Sequence, residues 1–221
     1  MFVIFLAILS CSNGENAVVP DTPIRILALG DSYTVGERVG KLESWPVQLV
    51  RELRSSGRGA EEPTIVAATG WDTDDLAQGL QLVDLQTPFD VVTLQIGVNN
   101  QFRGGTVSDF ETELSGLIES AIDFAGGDAN RVVLLSIPDW GVTPFADGAP
   151  KQEIAAEIDQ FNDVIRDLAM AEKVRFISIT EISRRAASER ELIADDGLHP
   201  STRMYSEWVE LILPVIEEIT E

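Results

Sequence analysis

A single α/β domain, built on a parallel sheet with helices on both faces, is what this chain predicts, and three observations lead there. From residue 24 onward, short apolar runs of strand length alternate with amphipathic stretches, the order of a parallel sheet and its crossover helices. The runs are largely apolar throughout rather than alternating, as in strands buried on both faces. The chain also has 221 residues, 44% apolar and 24% charged, enough for one core without a disulfide or metal staple. No internal repeat or inner linker divides it.

The elements follow in order. IRILAL at 24–29 predicts the first strand. A helix is predicted over 44–55, with Ser44 as N-cap and Pro46 in the first turn, where a missing N–H is tolerated. After the loop SSGRGAEEP, TIVAA at 64–68 predicts the second strand and 72–80 a short helix. VVTLQI at 91–96 predicts the third strand. The helix over 108–124 then sets Phe110, Leu114, Leu117, Ile118, Ala121 and Ile122 on one face. RVVLLSI at 131–137 predicts the fourth strand. IPDWGVTPFADGAP, with three prolines, predicts a long loop. A helix over 152–171 carries Ile154, Ile158, Phe161, Ile165 and Leu168 at helical spacing. The fifth strand is predicted at 175–179, a short helix after it, and a closing helix over 202–218 that Pro214 should kink or shorten.

Charge and scarcity narrow the chemistry. The formal net charge is −21, and a polyanion repels such a surface, so nucleic acid is excluded as a partner class. Cys11 and His199 are the only residues of their types. No intrachain disulfide can form, and no Cys/His zinc site is expected from two residues so far apart. A carboxylate cage for Ca²⁺ or Mg²⁺ stays open, although no EF-hand-like D-x-D-x-D-G run is present. Any mechanism that needs an imidazole must use His199.

The first residues read as an address. MFVIFLAILS is too short to span a bilayer and is about right for the apolar core of a secretion signal. Ile8-Leu9-Ser10-Cys11 resembles the lipobox of bacterial lipoproteins, although no basic residue precedes the run and Arg25 is the first. Lipidation of Cys11 would tether the protein to a membrane surface; a cleaved signal or a buried N-terminal strand are the other readings. Residues 1–22 are thus expected to be leader and tether, residues 23–221 the domain, and the protein exported to the envelope, periplasm or exterior.

Sheets of this kind bind ligands at the carboxyl ends of their strands. There the sequence sets Gly30-Asp31-Ser32-Tyr33, Thr69-Gly70-Trp71-Asp72, Gly97-Val98-Asn99-Asn100, Pro138-Asp139-Trp140-Gly141 and Asp195-Asp196-Gly197-Leu198-His199-Pro200. One rim gathers the parts of an acyl-transfer site: nucleophile, base, orienting carboxylate and oxyanion donors. Each has a plainer reading. Ser32 could cap the next helix, though a sharp strand exit would leave its hydroxyl exposed at the sheet's top. His199 could be a surface histidine, Asp196 a turn aspartate, Asn99 an Asx-turn residue and Gly70 a permissive turn. Against those, Asp196 can reach the His199 ring from three residues away and fix its tautomer. No G-x-S-x-G, G-x-G-x-x-G or P-loop motif competes.

With these residues the sequence resembles the GDSL, or SGNH, hydrolase family. Gly30-Asp31-Ser32-Tyr33 matches its first block with Tyr in place of the usual Leu, and Gly70 its second-block glycine. Gly97-Val98-Asn99-Asn100 matches G-x-N-D with Asn100 for Asp, and Asp196-Gly197-Leu198-His199 matches D-x-x-H. The resemblance spans about residues 24–213. It implies a flavodoxin-like three-layer α/β/α sandwich with five parallel strands in the order 2-1-3-4-5, and cofactor-free hydrolysis of acyl esters. It further implies Ser32 as nucleophile, His199 as base, Asp196 as its orienting acid, and Ser32 N–H, Gly70 N–H and Asn99 amide as oxyanion hole.

Trp71, Val98, Phe102 and Trp140 lie close enough to this rim to wall a substrate pocket, packing between loops being the plainer alternative. Short rim loops predict an open groove suited to a small acyl ester, a lysophospholipid or an O-acetylated sugar. The competing function is an idle module that only binds glycan or lipid, which would not need Ser32, Asn99, Asp196 and His199 together. The oligomeric state is not legible.

Overall fold

The computed structural model describes residues 22–221. One parallel sheet holds β1 (Ile26–Gly30), β2 (Thr64–Ala67), β3 (Val91–Gln95), β4 (Val132–Leu135) and β5 (Arg175–Ile177), in the order β2-β1-β3-β4-β5. Every residue of β1, β3 and β4 is buried, whereas the edge strands β2 and β5 are mostly half-buried. β1 and β4 are accordingly apolar throughout, while β3 buries Thr93 and Gln95 among its apolar residues.

The helices are α1 (Ser32–Val35), α2 (Trp45–Ser55), α3 (Thr73–Leu80), α4 (Val98–Phe102), α5 (Val107–Phe124), α6 (Lys151–Glu172), α7 (Thr180–Arg184) and α8 (Thr202–Ile219). On one face α2 packs along α8; α3, α5 and α6 pack together as a second layer. Local chemistry starts several of them. Asp72 and Asp75 form a reciprocal capping box on α3, Thr106 accepts from the Asp109 N–H at α5, and Ser201 accepts from the Met204 N–H at α8.

The structure corrects the expected boundaries in four places. Ser44 holds the N-cap position of α2 but its side chain makes no cap bond. β4 and β5 part early, because the Ser136 hydroxyl oxygen takes the N–H groups of Ile179 (2.8 Å) and Thr180 (3.2 Å). The proline-rich segment after β4 is not a plain loop: it holds 3-10 turns at Trp140–Val142 and Pro144–Ala146, the first capped by Asp139. Helix α8 runs through Pro214 to Ile219 without being shortened. Pro214 faces solvent, where the carbonyl it frees can meet water, while Ile212 and Ile216 anchor both flanking turns in the core.

Register brings the functional ends together. Gly30 pairs with Ala67 on one side and Gln95 on the other, so the residues after β1, β2 and β3 leave the sheet at one edge. Gly30 has no room for a side chain: a Cβ there would lie 2.2 Å from Thr34 Oγ1 and 2.5 Å from the Gln95 carbonyl oxygen. That close approach makes the abrupt exit to Ser32 possible.

The leader, with Cys11, lies outside the described residues except for Thr22. Among the described residues no helix is long and apolar enough to cross a membrane, and no cluster of three or more His, Cys, Asp or Glu is placed to hold a metal.

Candidate active site

Ser32 is the first residue of α1, and it does not cap that helix. The cap is Asp31, whose carboxylate accepts from the Tyr33 N–H at 2.9 Å. With the capping done by its neighbour, the Ser32 hydroxyl contacts His199, its Oγ lying 3.0 Å from Nε2. The hydroxyl is not exposed as expected: Ser32 is 4% and His199 8% accessible, so the contact is screened from bulk water.

His199 is held by the turn before it. Asp196 Oδ1 accepts from the N–H groups of Leu198 and His199, each at 3.0 Å, while Oδ2 lies 2.6 Å from His199 Nδ1. One aspartate thus shapes the turn and orients the ring. The arrangement fits Nδ1–H donating to the carboxylate, which leaves Nε2 free to accept the Ser32 proton. Burial works against the Asp196 charge, but the hydrogen bonds from the His199 ring and the two N–H groups outweigh it and hold the carboxyl below its ordinary range. Arg38 stands at the mouth, its Nε 3.7 Å from Asp196 Oδ2.

Tyr33, at the first block's departure from the family pattern, lays its ring against His199 with centroids 5.3 Å apart. Burial and the nearby Asp31, Asp196 and Asp139 push its phenol well above the ordinary range, so it stays neutral. Asp31 behaves unlike Asp196: buried, and with no cation on it among the described residues, its carboxyl is pushed up to about 7, against the opposing Tyr33 N–H bond.

Gly70 and Asn99 follow β2 and β3 at the sheet edge where Ser32 follows β1. The Asn99 amide donates to the Trp71 carbonyl at 2.8 Å, which fixes the side chain and leaves its second N–H unspent. Among the described residues neither the Ser32 N–H nor the Gly70 N–H has a hydrogen-bond partner. Three donors are therefore unused along one rim, an arrangement able to receive a developing oxyanion.

The four expected wall residues divide. Trp71 precedes α3 and packs its ring against Gly79 of that helix, where a Cβ would sit 2.3 Å from it, and Val98 is buried in the core. Both pack against the core, Trp71 remaining half-buried. Phe102 and Trp140 do meet, edge to face at 5.1 Å, and Phe145 joins them at 6.2 and 6.1 Å. Phe102 and Phe145 are each about half exposed. The Trp140 indole N–H donates to Gln101 at 2.7 Å, and the Gln101 amide to Glu157 at 2.7 Å, so this wall is fixed. Phe145 was not singled out from the sequence; its N–H donates to the Gly197 carbonyl, which ties the aromatic group to the His199 turn. Only its place in the long loop after β4 signals it. Behind the site, Tyr33, Trp140, Leu198 and Met204 help line a cavity of about 10 Å³, room for about one water.

Comparison with known proteins bears on the family and the fold. The model of the GDSL-like lipase/acylhydrolase family matches residues 28–206. A protein of Vibrio mimicus named arylesterase is 28% identical over 178 residues, covering 80% of each chain. Among solved structures, TesA superposes with a TM-score of 0.70 at 18% identity, covering 88% of this chain and 99% of its own. Axe2, an acetylxylan esterase from Geobacillus stearothermophilus, gives 0.67 at 19% identity, covering 87% and 94%.

Proposed function

Because the chain belongs to the GDSL-like lipase/acylhydrolase family and is a carboxylic ester hydrolase, we propose that it works through an acyl-enzyme on Ser32. The observation that carries this reading is the 3.0 Å contact between the Ser32 hydroxyl and His199 Nε2, backed by Asp196 at 2.6 Å. His199 takes the Ser32 proton as Oγ attacks the ester carbonyl carbon. The carbonyl oxygen gains charge against the Ser32 and Gly70 N–H groups and the Asn99 amide. The alcohol then leaves with the proton from His199, and water repeats the sequence on the acyl group. Asp196 keeps the ring in its tautomer and stabilises the imidazolium.

For the substrate, the half-exposed Phe102 and Phe145 beside the partly buried Trp140 support a small ester with an apolar or aromatic part, in keeping with the arylesterase relative. Lysophospholipid and O-acetylated sugar are the competing substrates. The test is hydrolysis of p-nitrophenyl acetate and butyrate by the wild type and Ser32→Ala. A wild type that turns over both and a variant reduced by about 10⁴-fold or more supports the reading; a variant that keeps near-normal activity ends it. A chain-length series beside lysophosphatidylcholine and acetylated xylan ranks the substrates.

The apolar run and Cys11 support export and, if the cysteine is lipidated, a membrane-surface location. Incorporation of labelled palmitate into the full chain but not into Cys11→Ser tests that.

A further inference from the structure

The loop that carries Gly70 is a tight turn gripped from outside. The Trp71 N–H closes it on the Ala68 carbonyl at 3.2 Å, and Gly70 has φ +83°, the value at the third residue of a type II turn. Turns of this sequence can also adopt the type I form, in which the central peptide, the one bearing the Gly70 N–H, points the other way. Packing contributes little at Gly70 itself: a Cβ there would meet nothing nearer than Arg103 Nη2, at 4.0 Å.

What holds the turn comes from α4. Asn99 and Arg103 are four residues apart, on one face of a helical turn, and they take adjacent carbonyls. Asn99 donates to Trp71, and Arg103 Nη2 donates to Gly70 at 2.7 Å. The guanidinium is itself aimed by Asp72 and by Asp75, the latter at 3.3 Å. Asn100 adds a further tie, its Oδ1 accepting from the Thr73 N–H at 3.2 Å. We propose that Arg103 is a positioning residue: it pins the Gly70 turn to α4 and so sets the spacing of the Gly70 N–H and the Asn99 amide around the substrate's carbonyl oxygen. This rests on the reading of those two groups as oxyanion donors.

The fork geometry matters. One guanidinium takes the two carboxylates with Nη1 and the Gly70 carbonyl with Nη2, a spread that the single nitrogen of an ammonium does not match. The side chain is half exposed, and an ion pair in that setting adds little to stability. Asp72 still caps α3 through the Asp75 N–H when Arg103 is gone. A loss of activity without a matching loss of stability is therefore the signature of the clamp.

The experiment uses the full chain and p-nitrophenyl acetate, with Arg103→Met, Arg103→Lys, Arg103→Ala and Asn99→Ala measured together with their melting temperatures. Loss of one oxyanion donor lowers kcat by about 10²–10³-fold, and misplacing one costs part of that. Arg103→Met and Arg103→Lys are expected to lose about tenfold or more in kcat, with KM within about twofold and little change in melting temperature. Millimolar guanidinium ion is expected to restore part of the loss in Arg103→Ala and none in Asn99→Ala. If Asn99→Ala loses activity while folded Arg103→Met stays within about twofold of wild type, the clamp is wrong and the oxyanion reading stands. A rise in KM at unchanged kcat makes Arg103 a substrate contact and also overturns the proposal. If Asn99→Ala itself leaves kcat unchanged, the oxyanion reading fails and the clamp with it. Should Arg103→Met not fold, Arg103→Lys and guanidinium rescue of Arg103→Ala decide the matter.

Discussion

The two turns that meet at Ser32 and His199 each place an aspartate just ahead of the functional side chain, and they treat its charge in opposite ways. Asp31 caps α1, lies 1% exposed, and its carboxyl is pushed up to about 7 by burial. Asp196 shapes its own turn with one oxygen and takes the His199 ring with the other, which holds its carboxyl low despite partial burial. The same side-chain-to-backbone bond thus serves two ends. At Asp31 it sets the backbone and leaves the Ser32 hydroxyl unoccupied by capping; at Asp196 it also delivers a charge to the imidazole. Position in sequence does not separate the two aspartates. What their second oxygen meets does.

The largest effect should follow from removing that difference at Asp196. Asp196→Asn keeps the shape, and its amide oxygen can still accept from the Leu198 and His199 N–H groups. If that oxygen does so, the amide N–H₂ is left facing Nδ1 and favours the wrong tautomer. The expected result is a fall in kcat of about 10³–10⁴-fold, read from steady-state hydrolysis with the circular dichroism spectrum unchanged. A loss under about tenfold would mean that Asp196 is no more than a turn residue, and the contrast with Asp31 would vanish.

Asp31→Asn probes the other side through stability. An ordinary Asp31 carboxyl ionises near 3.8, whereas the folded one ionises near 7. Below pH 3.8 both folded and unfolded chains carry it neutral, and the group imposes no penalty. Between 3.8 and about 7 unfolding releases a proton, so stability drops as pH rises, and above 7 the penalty is complete. Three pH units correspond to an upper figure of roughly 4 kcal/mol. Asparagine is neutral throughout and can still accept from the Tyr33 N–H. Denaturant titration should therefore find the variant more stable than wild type at pH 8, by on the order of a few kcal/mol, with the gap closing toward pH 4. An equal gap at both pH values would show that the buried charge is not its origin.

These contrasts also explain what was legible in the sequence. The strands were, because runs buried on both faces leave little choice of residue, and the sheet's order follows the family resemblance. Bringing Ser32, Gly70, Asn99 and His199 to one rim needed only the rule that ligands sit at the strands' carboxyl ends. What failed depends on where a side chain points. Ser32 read as a possible cap, yet Asp31 takes that place through a single N–H bond at Tyr33. Trp71 and Val98 flank the site in sequence yet pack inward, while Phe145 enters it from a proline-rich loop through one bond to Gly197. Pro214 is tolerated because it happens to face water. No periodicity carries such contacts between residues far apart in the chain.

Tyr33 joins the two turns and gives the smallest and most specific test. Its N–H belongs to the Asp31 cap and its ring lies against His199. The ring is tilted 49° to the imidazole, so part of its π-face is turned to a group that becomes cationic when it takes the Ser32 proton. A cation held within about 6 Å of a ring centroid gains ~0.5–2 kcal/mol, and most of that gain appears only in the transition state, when His199 is charged. Tyr33→Phe keeps the face and should stay within about twofold of wild type in kcat/KM. Tyr33→Leu restores the residue usual in the family's first block and removes the face; it should lose about three- to tenfold in kcat, with KM nearly unchanged. Equal losses in both variants would assign the effect to the buried hydroxyl. No loss in Tyr33→Leu would leave Asp196 as the sole support of the imidazolium, and the Asp31 turn would then contribute geometry alone.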